Sequence, residues 1–218
     1  MTPTFSYAIL KKRYKIEEIR EGLKRFEVLP YSETYKILSE NVNIKGKKGI
    51  LYVFAGPNGS GKSTLIASLY KQGKLNGIRY VGAEVFARMY FQEVKPREKR
   101  LEESNQFIFK LSKDIMNKND ALVLETSIAK TTKLELVEMF KQRGYKIVSF
   151  FLSPTFNQIN VERVERRVKE GGYKFSNEEL HEQFERSNHN RYKLMELSDE
   201  FYELDTTRKP KIIENYKI

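Results

Sequence analysis

No cysteine occurs among the 218 residues, which excludes disulfides, thiolate-held metals and redox chemistry by the chain's own thiols. That fits a reducing compartment. Histidine is nearly missing too: His181 and His189 stand without a supporting pattern of ligands, so neither points to a metal centre. No apolar run approaches the roughly 18 to 20 residues that a membrane helix needs, and Lys11, Lys12 and Arg13 occupy the stretch where a signal peptide would be apolar. A soluble, cytoplasmic protein with no membrane partner is expected. No internal repeat is visible.

What is present is charge, and enough apolar residues for one core. A hydrophobic content of 39% over 218 residues supports one sizeable domain with small appendages, and is too little for two full α/β domains. The 40 Lys and Arg outnumber the 29 Asp and Glu, giving +11 and favouring polyanionic partners: nucleotides, phosphorylated sugars, nucleic acid or an acidic protein. Residues 1–50 alone carry eleven basic and six acidic side chains. A surface that serves only solubility accounts for such an excess equally well.

Periodicity divides the chain into a helical extension, 1–48, and a main domain, 49–218. Ile16, Ile19, Leu23 and Phe26 recur at helical spacing between Tyr14 and Phe26, and the Lys- and Gly-rich stretch from Asn41 to Gly49 reads as a linker. Ile50 to Ala55 is a short continuous apolar run, the pattern of a strand buried on both faces. Further strands are expected over Ile78–Ala83, Ala121–Leu124, Ile147–Leu152, Phe201–Leu204 and Lys211–Asn215. Helical stretches alternate with them: Leu65–Tyr70, Glu84–Phe91, a charged segment with Phe107, Leu111 and Ile115, one with Leu134, Val137 and Phe140, and Ile159–Val168. After Gly171-Gly172, Ser176 to Glu179 forms a capping-box pattern opening a helix to about Leu197. The alternation predicts an α/β fold, a three-layer and mostly parallel sheet of the P-loop NTPase/kinase type, with ligands at the carboxyl ends of the strands.

The chemistry concentrates after the first strand. Gly56, Pro57, Asn58, Gly59, Ser60, Gly61, Lys62, Ser63 and Thr64 match Gly-x-x-x-x-Gly-Lys-Ser in full, between a strand and a helix. Glycines there let successive amides converge on one point, and the helix N-terminus adds partial positive charge, so a nucleoside triphosphate, ATP or GTP, is the expected occupant. Lys62 would reach the β and γ phosphates and Ser63 would ligate Mg2+, with Thr64 starting the helix. Glu84 and Glu125-Thr126 end the second and third strands and face the crevice beside the γ-phosphate, where a carboxylate can take a proton or hold a hydroxyl in line. Arg163 and Arg167, just before Gly171-Gly172, form a candidate lid with Arg186, since guanidinium matches phosphate oxygens bidentately. A solvated helix face neutralised by Glu162, Glu165 and Glu170 is the plainer alternative.

Together these segments resemble the zeta-toxin family of P-loop kinases, in its chromosomal branch. The carriers are Phe54 to Thr64, Glu125-Thr126-Ser127, and the run from Glu162 to Tyr173 continuing to Phe184-Glu185-Arg186-Ser187. The resemblance spans about Ile50 to the C-terminus and implies transfer of the ATP γ-phosphate to a hydroxyl of a nucleotide sugar such as UDP-N-acetylglucosamine. It maps the base onto Glu84, substrate binding onto Glu125, and phosphate-facing arginines onto Arg163 and Arg167. It also implies an antitoxin protein as partner; residues up to about Lys48 could act as a built-in inhibitor or as its docking surface, with plain packing onto the main domain the favoured alternative. Gly82-Ala83-Glu84 stands where Asn-x-Asp is usual, Tyr173 where a histidine is usual, and Glu182-Gln183 where an arginine pair is common. Two further readings stay open: a kinase of nucleic-acid ends or nucleosides, which the basic charge suits, and a degenerate NTP-binding switch or partner-binding protein.

Overall fold

The computed structural model describes residues 7–24, 48–169, 174–208 and 211–217. Two helices, α1 (Tyr7–Arg13) and α2 (Ile16–Lys24), precede β1 (Ile50–Ala55) and the helix it feeds, α3 (Lys62–Lys71). Then come β2 (Arg79–Gly82), α4 (Ala83–Tyr90), α5 (Arg97–Asn117), β3 (Leu122–Thr126), α6 (Thr131–Gln142), β4 (Lys146–Ser153), α7 (Asn157–Lys169), α8 (Asn177–Leu197), β5 (Glu200–Asp205) and β6 (Lys211–Lys217). The strands form one sheet in the order β2-β3-β1-β4-β5-β6, parallel throughout except for β6, which runs antiparallel to β5. Helices cover both faces, so the expected three-layer P-loop kinase fold is what the chain adopts.

The central position of β1 follows from its composition: Leu51 to Ala55 are all buried to within 1% exposure, which only a strand with neighbours on both edges and helices on both faces permits. Across one row, Phe54 pairs with Phe150 of β4, and Phe150 with Tyr202 of β5. The three rings stack at 4.9 and 5.1 Å between centroids. That row places Glu125, which pairs with Phe54 from the other side, at the same end of the sheet as the glycine loop. The capping box at the start of α8 is present: Ser176 Oγ accepts from the Glu179 N–H at 3.1 Å, and Glu179 Oε2 accepts from the Ser176 N–H at 2.7 Å.

The extension differs from its reading in one respect. The helix expected from Tyr14 is α2, which starts at Ile16, and an unexpected α1 precedes it; Tyr14 lies between the two, where its hydroxyl donates to the Tyr80 carbonyl and accepts from the Tyr80 N–H, both at 3.0 Å. β2 is the edge of the sheet, so one tyrosine closes the outward-facing pair of backbone groups there. Leu10, Ile19 and Leu23 are buried and join the main core. Phe26, the linker residues before Lys48, and Glu170 to Tyr173 lie outside the described residues. No described helix is long and apolar enough to cross a membrane.

Candidate active site

Between the end of β1 and Lys62 the chain must reverse direction within a few residues of two neighbouring backbones. Gly56 does so at φ 136°, where an added Cβ would stand 1.9 Å from the Leu152 carbonyl oxygen of β4. Gly59, at φ 86°, rests on α7, with the Asn160 carbonyl oxygen 2.8 Å from where its Cβ would be. Both positions exclude any side chain. The loop therefore lies close against its supports and opens its amides at the N-terminus of α3, the geometry of an anion cradle.

Lys62 curls over this loop. Its Nζ donates to the Gly56 carbonyl at 2.7 Å and the Pro57 carbonyl at 2.8 Å. Burial pulls its pKa from 10.5 down to about 8, against the opposing influence of Glu125 and Glu84. Ser63 donates to Glu125 Oε1 at 2.6 Å, and Tyr80 donates to Glu125 Oε2 at 2.6 Å. The Tyr80 ring is fully buried; burial first, and the Glu125 charge second, raise its pKa far above the usual phenol range, so it remains a donor.

Glu84 lies in the first turn of α4, where β2 passes directly into the helix. Its Oε2 is 3.1 Å from Arg167 Nη1, and Arg167 Nε and Nη2 are buried without a hydrogen-bond partner among the described residues. Unpaired guanidinium donors in a buried setting are costly unless an anion completes them, so Arg167 offers two donors to a ligand anion beside Glu84. Arg163 is engaged differently: Nη2 donates to the Thr206 carbonyl at 2.6 Å and Nη1 to the Gly59 carbonyl at 3.3 Å, tying α7 to the loop and to the end of β5.

These groups line a cavity of about 1830 Å³ that runs from Asn58 and Gly59 past Glu84 and Glu125 to Phe109 of α5 and Lys133 of α6. One small molecule typically fills roughly 300 to 1,000 Å³, so the cavity has room for two. Ser63 gives its hydrogen to Glu125 and keeps its lone pairs for a hard cation, which fits Mg2+. No cluster of three metal-ligating side chains exists among the described residues, so phosphate oxygens and water would complete the shell.

Of the residues singled out from sequence, the structure gathers Lys62, Ser63, Glu84, Glu125, Thr126, Arg163 and Arg167 around one cavity. Thr126 is buried, with Oγ1 accepting from the Ile128 N–H at 3.1 Å. Arg186 stands apart: it is exposed, pairs with Glu182 at 3.2 Å and does not line the cavity. Asn58 donates to Gln183 of α8 at 2.6 Å, which links the loop to the helix after the glycine pair. Sequence reasoning passed over Tyr80 and Lys133. Tyr80 had a signal, since it alternates with Gly82 on a strand ending in an acid; Lys133, whose burial draws its pKa down to about 8, had none.

A family model described as an AAA domain matches residues 51–190. Among solved structures, the chain is similar to one in the AvrRxo1-ORF1:AvrRxo1-ORF2 complex with sulphate ions, at 13% identity and TM-score 0.64, covering 92% of this chain and 66% of that one. The same complex with ATP matches at 14% identity and TM-score 0.62, covering 100% of this chain and 74% of the other. A chain of the PezAT chromosomal toxin-antitoxin system of Streptococcus pneumoniae matches at 12% identity and TM-score 0.59, covering 93% and 82%. No curated protein matches. At these identities the likeness is one of fold.

Proposed function

Because the chain belongs to the AAA-domain family of P-loop proteins, we propose that it is a small-molecule kinase, passing the γ-phosphate of ATP to a hydroxyl of a nucleotide sugar such as UDP-N-acetylglucosamine. The observation that carries this reading is the second carboxylate: Glu84 faces the same cavity as the phosphate loop, and the cavity has space for an acceptor beside a nucleotide. A protein that only binds nucleotide needs neither.

In this reading the loop amides and Lys62 hold the β and γ phosphates. Ser63, backed by Glu125, would hold Mg2+, which supplies charge neutralisation on the phosphates when bound. Glu84 accepts the proton of the acceptor hydroxyl as its oxygen bonds to the γ-phosphorus and the bond to the ADP oxygen breaks. Arg167 already stands at Glu84, and its two unpaired nitrogens meet the negative charge of the transferred group. Glu125 retains a second lone pair on each oxygen for a substrate hydroxyl. A protein partner of antitoxin type belongs to the same proposal, supported by the likeness in fold to a chain of a toxin-antitoxin system.

The test incubates the protein with ATP, Mg2+ and a panel of hydroxyl compounds that includes UDP-N-acetylglucosamine, with products read by mass spectrometry. ADP and a singly phosphorylated acceptor are expected, and Glu84→Gln should slow the appearance of both by about 10² to 10⁴. Tight, Lys62-dependent ATP binding with no phosphorylated product from any acceptor would leave a nucleotide-binding switch in place of a kinase. A phosphorylated nucleoside or nucleic-acid end in place of the sugar would correct the acceptor class.

A further inference from the structure

The alternation of a strand puts Tyr80 and Gly82 on the same face of β2. Gly82 is in register with Glu125 of β3, and it has no side chain to fill the space between them. Tyr80 fills it: a Cβ on Gly82 would fall 2.0 Å from the Tyr80 hydroxyl oxygen and 2.6 Å from Cζ. The ring thus lies along the strand toward its carboxyl end and delivers its hydroxyl to Glu125 Oε2 at 2.6 Å, while Ser63 holds Oε1 at 2.6 Å. With one hydroxyl on each oxygen, the carboxylate cannot rotate about its last bond without losing one of them. The backbone of Tyr80 is fixed in turn by the Tyr14 hydroxyl on its N–H and its carbonyl.

We propose that Tyr80 is a positioning residue, which holds the Glu125 carboxylate so that Glu125 in turn aims the lone pairs of Ser63 at the magnesium of a bound nucleotide. This rests on the reading of the loop as a nucleotide and Mg2+ site. In this proposal Tyr80 acts through Glu125, to which its hydroxyl is committed, and not as a ligand of the metal. Groups behind a metal ligand commonly set metal affinity by about 10- to 100-fold. The isosteric Tyr80→Phe removes the hydroxyl and keeps the ring.

The experiment titrates Mg2+ into protein mixed with a fluorescent ATP analogue, for wild type, Tyr80→Phe, Glu125→Gln and the double variant, with the metal-free analogue titrated alongside and thermal unfolding recorded for each. Tyr80→Phe should weaken the apparent Mg2+ affinity about tenfold while metal-free nucleotide affinity stays within about twofold. In the Glu125→Gln background the same change should weaken Mg2+ no further, because the two residues act in series. Unchanged Mg2+ affinity in Tyr80→Phe overturns the proposal alone, and so does an equal loss with and without metal, which marks a general structural role. Additive losses in the double variant overturn it as well. A wild-type protein that binds no nucleotide overturns the site reading and this proposal with it.

Discussion

Lys62 should pick up a proton when nucleotide binds at alkaline pH. Its ammonium is buried, 7% exposed, and burial lowers its pKa from 10.5 to about 8. That depression corresponds to about 3 kcal/mol of unfavourable desolvation of the charged form. The sign follows from proton counts. Between pH 8 and 10.5 the unfolded chain holds the Lys62 proton and the folded chain has released it, so stability rises as pH climbs through this window and the deficit is complete below pH 8. Phosphate oxygens reverse the balance, because each favours the ammonium. If they restore an ordinary lysine pKa, binding takes up about 0.7 proton at pH 8.5 and about 0.1 at pH 7, and affinity falls by up to about tenfold per pH unit above pH 8. Above pH 8 the ATP phosphates are already ionised and contribute little. Calorimetry at pH 8.5 in bicine and in Tris, whose ionisation heats differ, reads the uptake directly. Measurable binding with the same heat in both buffers would refute the assignment of a depressed pKa to Lys62.

Two further substitutions separate chemistry from architecture. Glu84→Gln should lower the transfer rate by about 10² to 10⁴ while ATP affinity stays within about threefold, because Glu84 touches Arg167 and not the loop; a rate near wild type in a product assay would remove Glu84 as the base. Gly56→Ala should destabilise the fold by more than about 3 kcal/mol, since its Cβ would meet the Leu152 backbone at 1.9 Å in a left-handed conformation; thermal unfolding within about 2 °C of wild type would contradict that geometry.

The parts legible in the sequence were those whose cause is local. β1 could be read because a strand buried on both faces must be continuously apolar, and the phosphate loop because its whole Gly-x-x-x-x-Gly-Lys-Ser pattern lies in one short segment, although the backbones that press on Gly56 and Gly59 come from Leu152 and Asn160. Glu84 and Glu125 could be placed because strand ends are visible as the ends of apolar runs. What stayed hidden depends on distant segments meeting. The spacing of arginines on α7 does not reveal that Arg163 spends its donors on carbonyls at Gly59 and Thr206 while Arg167 reaches Glu84. Nor does helical periodicity around Tyr14 show that the residue leaves the helix to serve a strand. α1 escaped notice because seven residues are too few to establish a period. Arg186 has the same residue type as its neighbours on the lid, yet it sits on the outer side of α8 with Glu182, a difference of facing that composition cannot carry.

Tyr14 also bears on how much chain this fold requires. The family is recognised over residues 51–190, which begins after Tyr14 and stops before β5 and β6. A piece cut to those limits would expose the outward N–H and carbonyl of Tyr80 on one flank and the whole unpaired side of β4 on the other, two ragged margins inviting intermolecular pairing. The length by which the lineage is known and the length that closes the sheet are therefore different, and a portable version of this domain has to carry its tyrosine clasp and its last two strands along with the nucleotide loop.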